Sequence, residues 1–241
     1  MYKHIMMLLK TSRKLHQWLM LFLGIQFVVW SVTGAYMVIF DIDYIHGDSL
    51  VTQHQTPIDV NKINISLTDV IKKYPTAQNI ELAVLIDLPV YRFKNEHIDM
   101  MLNASSGEVL SPINEVMAAK IARHYYSADD VISEIELLTD HAPFELSKRH
   151  LPAYRINFEA FASPSLYINA YSGKVVTKRH EFWRLFDWMF RFHIADYQDG
   201  EPDNLLLLWF SILGLFAALT GFVLTYYRVI KNKRNRSNAI Y

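Results

Sequence analysis

The sequence predicts an α+β domain carried between two transmembrane α-helices. Three observations predict it. Residues 15–40 and 204–227 are long apolar stretches without a single Asp, Glu, Lys or Arg. The segment between them contains an internal repeat. Within each copy a helical pattern precedes short runs of alternating apolar residues, the signature of strands with one buried face.

Composition narrows the chemistry. The 241 residues carry no formal net charge, which argues against nucleic-acid binding, where a basic excess is needed. There is no cysteine, so disulfides, thiolate zinc sites, iron–sulfur clusters and covalent c-type haem are excluded. Ten histidines remain, and metal or haem chemistry would have to run on them.

Residues 1–14 form a short basic lead with Lys3, Lys10, Arg13 and Lys14. Residues 15–40 then exceed the roughly 20 apolar residues that a helix needs to cross a bilayer core of ~30 Å. Trp18 and Trp30 sit toward the ends of this span, where indoles favour the interface, and Gly24 and Gly34 leave room for close helix contact. The apolar run is too long for a signal peptide, and Asp41-Ile-Asp43 stands where a small-residue cleavage site would be, so it reads as an uncleaved anchor. The second span, 204–227, echoes the first, with Leu213-Gly214 and Thr220-Gly221 repeating Leu23-Gly24 and Thr33-Gly34. Gly214, Ala217, Ala218 and Gly221 read as a small-residue packing face.

The flanks set an orientation. Arg228, Lys231, Lys233, Arg234 and Arg236 follow the second span in a basic tail, 228–241. Asp41, Asp43 and Asp48, with Asp196, Asp199, Glu201 and Asp203, stand on the inner flanks. Both termini are expected in the cytoplasm and residues 41–179 in the periplasm, which makes this an inner-membrane protein.

Between the spans, Leu88-Pro-Val-Tyr-Arg-Phe leads to Asn103-Ala-Ser-Ser-Gly107-Glu-Val, and Leu151-Pro-Ala-Tyr-Arg-Ile leads to Asn169-Ala-Tyr-Ser-Gly173-Lys-Val. Such self-similarity marks repeated structural units, here about 60–111 and 112–179. Ser66-Leu-Thr-Asp69 is a capping box opening a helix that Pro75 closes. Pro112 opens a second helix over 113–125. Strands are expected at 80–86 and 131–138 and in the two motifs, with Gly107 and Gly173 supplying the positive φ of tight turns. Each unit is then a helix followed by three antiparallel strands.

These residues carry a resemblance. The repeated unit ending in Asn-Ala-x-Ser-Gly-x-Val resembles the PepSY domain. Arg13-Lys-Leu-His16-Gln-Trp18, Trp30-x-x-Thr33-Gly34 and Leu219-Thr-Gly221 resemble the spans of PepSY-associated transmembrane proteins. The family includes inner-membrane reductases that bind haem b through histidines and reduce ferric siderophores at the periplasmic face. The resemblance therefore implies haem b held by His16 and His193 and a part in electron transfer, with iron uptake as the setting.

His16 stands in the first span without a charged neighbour inside it, and ionisable groups there are functional candidates by default. His193 lies in 180–197, an expected amphipathic interfacial helix, on a face with Phe182, Phe186, Met189 and Phe190; Arg184, Asp187 and Arg191 fall opposite. Either histidine has a plain alternative, a hydrogen-bonded structural side chain or one that meets headgroups. Those reductases have at least four spans and this chain two. The two histidines fall at opposite membrane edges, roughly 30 Å apart, so they cannot share one iron. Haem would then need a homodimer, with His16 meeting His16 of a second copy, or a redox partner protein. His46 and His54 stand in polar sequence and read as solvent-facing. His124, His141 and His150 show no metal-ligand spacing, and no phosphate loop or nucleophile motif is present, so a hydrolase is not expected. The rival function is a membrane-tethered PepSY binding module that regulates or inhibits a peptidase or another envelope protein.

Overall fold

The computed structural model describes residues 2–54, 56–196 and 204–231. Asp199, Glu201, Asp203, Lys233, Arg234 and Arg236, the end of the expected 180–197 helix and most of the 228–241 tail lie outside the described residues. The chain falls into two units, Met1–Phe40 with Phe186–Tyr241, and Asp41–Leu185.

The helical unit contains α1 (Tyr2–Ile39) and, after the sheet domain, α6 (Leu205–Thr225). The basic lead is not a separate arm, because α1 runs unbroken through it. Met6–Ile39 and Leu205–Val229 are both long and apolar enough to cross a membrane. Phe22 stacks on Phe210 with ring centroids 6.0 Å apart, and Trp30 meets the same ring edge-on. Side chains such as Phe27, Val38 and Phe222 point outward, as a lipid-facing surface requires. With no water in a bilayer core, hydroxyls must be satisfied within the protein. Ser31, Thr33, Ser211 and Thr220 each donate to the carbonyl four residues earlier. The expected small-residue face is narrower than its four residues suggest. Ala217 is buried and Gly221 is in close contact, whereas Ala218 is exposed and Gly214 has open space around it.

A short helix, α2 (Ile42–Ile45), opens the sheet domain. In α3 (Leu67–Lys73), the Ser66 hydroxyl accepts from the Asp69 amide and Asp69 accepts from the Ser66 amide, the reciprocal cap its sequence predicts. It leads to an antiparallel sheet of β1 (Gln78–Leu85), β2 (Leu88–Asn95) and β3 (Ile98–Asn103), in that order. Next, α4 (Glu115–Tyr125) starts two residues later than expected, because the Asn114 side chain caps it by accepting from the Met117 amide.

The second sheet departs from expectation. It has four antiparallel strands rather than three: β4 (Ile132–Leu138), β5 (Ala153–Phe158), β6 (Ser165–Asn169) and β7 (Val175–Arg179). After Gly107 the chain makes a single bridge, Leu102 to Val109, before Pro112, which has no amide to donate, leads it away. After Gly173, Val-Val-Thr-Lys-Arg continues extended and pairs. Its β-branched residues suit a strand.

Matched positions of the two motifs make matched hydrogen bonds. The Tyr91 hydroxyl donates to Ile65 O and the Tyr154 hydroxyl to Ile113 O, in each case the carbonyl just before a helix cap. The amides of Ala104 and Ala170 donate to Pro89 O and Pro152 O. Each tyrosine face therefore packs on its own helix. Val70 of α3 lies among Tyr91, Phe93 and Leu102. In the larger core, Ala118 and Ile121 of α4 meet Tyr154, Ile156 and Ile168 of the second sheet and Leu85, Val90 and Met101 of the first. One helix thus serves both sheets.

Candidate functional site

The helical unit brings each candidate histidine to a Thr-Gly pair on another helix. His16 of α1 meets Thr220-Gly221 of α6. His193 lies near the end of α5 (Glu181–Ile194), whose residues from Phe186 onward belong to the helical unit, and meets Thr33-Gly34 of α1. Helix α5 stops there because Ala195 takes a left-handed φ of 54°.

His16 Nδ1 is 3.0 Å from Ala217 O and 3.1 Å from Thr220 Oγ1. A carbonyl only accepts, so Nδ1 carries the proton. His193 Nδ1 is 2.9 Å from Thr33 Oγ1. That hydroxyl gives its proton to Val29 O at 2.8 Å, so it accepts from the imidazole. The same tautomer results at both sites, with Nδ1–H engaged and the Nε2 lone pair without a hydrogen bond among the described residues. The Trp30 indole also donates to His193 O at 2.6 Å, which holds the backbone of that niche.

The approach is closest at Gly221, where a Cβ would come within 2.9 Å of His16 Cε1; a Cβ at Gly34 would meet His193 Cε1 at 3.4 Å, an ordinary contact. His16 and Gly34 share a helix face but serve different niches. Thr33 lies 17 residues beyond His16 on α1, about 26 Å at 1.5 Å per residue. The two imidazoles therefore sit at opposite ends of the unit, and no single iron can take both.

The donor sets fit one axial ligand each. A metal-binding histidine characteristically donates one ring nitrogen to a carbonyl or a similar acceptor and offers the other to the metal, and both niches provide this. Among the described residues no group of three or more His, Cys, Asp or Glu is placed to grip a metal ion.

The other sequence candidates disperse. His46 and His54 are both exposed, and His54 also lies at a tilt beside His124 with ring centroids 4.3 Å apart and bonds to its carbonyl. The polar face of α5 is not a solvated one. Arg191 pairs with Asp187 at 2.6 Å, Arg184 chelates Glu145, and all three α5 residues are half-buried, while Leu185 and Trp188 are exposed.

Two polar clefts in the sheet domain escape the sequence analysis. One, of about 500 Å³, is lined by Glu145, Arg155, Asn157, Ser165 and Arg184. Its charges are matched: Arg184 Nε lies 2.7 Å from the buried Glu145, which also accepts from the Tyr167 hydroxyl, and Arg155 lies 2.6 Å from Glu136. Burial, then the Glu145 hydrogen bond, pushes the Tyr167 pKa up. The other cleft, of about 310 Å³, lies beside Arg92 and is basic. The repeated Tyr-Arg dipeptide was the signal available for both.

A family model, the PepSY-associated TM region, matches residues 13–239. The chain belongs to the PepSY-associated TM family. No curated protein and no solved structure matches it. The family match spans both histidines and both Thr-Gly pairs, so this PepSY-associated membrane protein carries its two niches wholly inside the matched region.

Proposed function

We propose that the chain is an inner-membrane electron-transfer subunit that holds haem b through Nε2 of His16 at one membrane edge and Nε2 of His193 at the other. In this reading residues 1–14 and 228–241 are cytoplasmic, 15–40 and 204–227 span the membrane, and 41–179 is a periplasmic pair of PepSY-like units. One observation carries the reading. Both imidazoles are held in the tautomer that leaves Nε2 available. Haem iron, when bound, carries single electrons between its ferric and ferrous states.

The chain's own residues have defined tasks. Ala217 O and the two threonine hydroxyls fix each ring's orientation and keep the proton on Nδ1. Gly34 and Gly221 let the rings lie against the neighbouring helix, and the apolar spans exclude water. A second copy or a partner protein would have to supply the remaining iron ligand, and the electron donor would be quinol or another protein, because the chain has no nucleotide-binding motif. The acceptor at the outer face is an iron chelate or a similar oxidant.

A second reading has its own support. The imidazoles already tie helices together and fill the glycine notches, so the helical unit stands without iron. The protein would then be a tethered PepSY module that regulates a peptidase or another envelope protein.

Optical spectra of the detergent-purified full chain, oxidised and dithionite-reduced, separate the two. Reduced α and Soret bands that disappear in His16→Leu or His193→Leu establish haem and name the ligand. A featureless spectrum from haem-replete cells, with or without co-purified partners, overturns the electron-transfer reading in favour of the tethered module.

A further inference from the structure

The basic cleft of the sheet domain rests on one arginine that has lost its partner. Arg92 in β2 and Arg155 in β5 occupy matched motif positions, each directly across from a glutamate on the neighbouring strand, Glu81 and Glu136. In the second sheet the pair closes at 2.6 Å. In the first it stays open. Glu81 turns to Lys174 Nζ at 2.6 Å, and Lys174 stands where the other motif has Glu108.

Arg92 is left with one hydrogen bond, from Nε to Ser172 O at 2.8 Å. No carboxylate lies within ion-pair distance of it among the described residues. That bond engages Nε alone, so Nη1 and Nη2 have no hydrogen bond among the described residues, and Arg92 lines the cleft. Burial is the main influence on its pKa and pushes it down, against the attraction of Glu81. A half-buried cation without a counter-ion is costly.

The surroundings favour negative charge. Arg92, Lys94, Arg149 and Lys174 line the cleft against two carboxylates, Glu81 and Asp99. His150 adds no opposing charge. It accepts from Arg149 Nε at 3.3 Å and is therefore neutral, and its pKa is held down by burial first and Arg149 second. Phe93, Met100 and Val176 form the apolar part of a space of about 310 Å³, enough for a small organic anion.

We propose that this cleft binds a small oxyanion, a carboxylate or phosphate group seated on the Nη1–Nη2 edge of Arg92. A planar guanidinium grips either group through two parallel hydrogen bonds. The site lies within the sheet domain and does not depend on haem.

Titration calorimetry on the detergent-purified full chain tests it, with citrate and inorganic phosphate as separate probes. Saturable one-site binding of either is expected, and which probe saturates tells carboxylate from phosphate. Arg92→Gln is expected to weaken binding about tenfold or more, as loss of a charge-assisted pair does. Lys174→Gln is expected to do the same by a different route, because Glu81 is then released to close on Arg92. Arg155→Gln, in the matched pair of the other sheet, leaves affinity within about twofold. No saturable heat with either anion, or wild-type affinity in both Arg92→Gln and Lys174→Gln, overturns the site.

Discussion

The two histidine niches are built alike, whereas the two arginine pairs of the sheet domain are not. In the helical unit, Thr33-Gly34 and Thr220-Gly221 each receive an imidazole through the same pair of contacts. In the sheet domain, matched Glu–Arg positions close in one sheet and open in the other. Likeness in the first case follows from the medium. A lipid-facing helix has few ways to satisfy a polar ring, so a threonine hydroxyl beside a glycine recurs as the partner. Water around the sheet domain permits variation, and there a single change, Lys174 for Glu108, redirects a carboxylate and frees a guanidinium.

The largest effect is expected in the charge-matched cleft that Arg155 also lines. Glu145 is buried and holds both the Arg184 guanidinium and the Tyr167 hydroxyl. Glu145→Ala leaves a desolvated cation and an orphaned phenol, which is expected to cost about 3 kcal/mol, near the lower end for a broken buried pair because Glu181 and Ser165 still contact Arg184. Chemical denaturation of the purified protein measures it. A loss under about 1 kcal/mol would show that the network is not a structural support.

The two turn glycines give the next largest contrast. Both have positive φ, 77° at Gly107 and 62° at Gly173, so any side chain is strained. Their neighbours differ. A Cβ at Gly173 meets Met101, Leu85 and Ile121 at 3.3–3.5 Å, all in the packed core, whereas one at Gly107 meets only Ile65. Gly173→Ala is expected to cost about 2–3 kcal/mol and Gly107→Ala about 1 kcal/mol. Equal costs would mean that backbone strain dominates and the core contact is slack.

The glycines also show what was legible in the sequence. Spans, capping box and Ser-Gly turns depend on residues a few positions apart, so local chemistry suffices to place them. That Gly173 touches the first sheet, or that Gly221 faces His16, depends on elements dozens to hundreds of residues away, and no periodicity records it. The fourth strand is an intermediate case. Val175-Val-Thr is strand-like in composition, but pairing needs β6 alongside. For the site, His16 and His193 stand out as histidines in apolar settings, and the echoed Thr-Gly dipeptides are visible. Only the fold joins each histidine to a Thr-Gly pair on another helix. Arg92 is visible in the sequence only as half of a repeated Tyr-Arg dipeptide; what sets it apart from Arg155, a glutamate turned to a lysine on the second sheet, depends on the fold.

A smaller effect separates the arginines themselves. Arg155 is partly exposed and its glutamates more so, so Arg155→Gln is expected to cost about 0.5 kcal/mol, the scale of a surface ion pair. Arg92→Gln removes a desolvated cation that Glu81 attracts without a hydrogen-bonded pair and is expected to leave thermal stability equal or slightly raised. A clear drop in the Arg92 variant would mean that Glu81 already neutralises it and that the two pairs are more alike than their distances suggest.

The smallest effect concerns pH. His180 is buried, and its Nε2 lies 2.8 Å from Tyr44 O, so Nε2 carries the proton. Its Nδ1 is buried without a partner among the described residues. Burial lowers its pKa most, and Arg184 and Arg179 lower it further, against the Tyr44 carbonyl and Glu181, which raise it. The folded domain therefore takes up this proton less readily than the unfolded chain. Its contribution to stability is complete above the ordinary histidine value of 6.5 and is lost as pH falls through the depressed folded value. His124 and His150 shift in the same direction and add to the slope. The melting temperature is expected to fall between about pH 7 and pH 5, and His180→Gln, which keeps a donor for Tyr44 O but cannot titrate, makes that fall shallower. If wild type and variant fall in parallel, the buried Nδ1 is reached by water, and the slope belongs to His124 and His150.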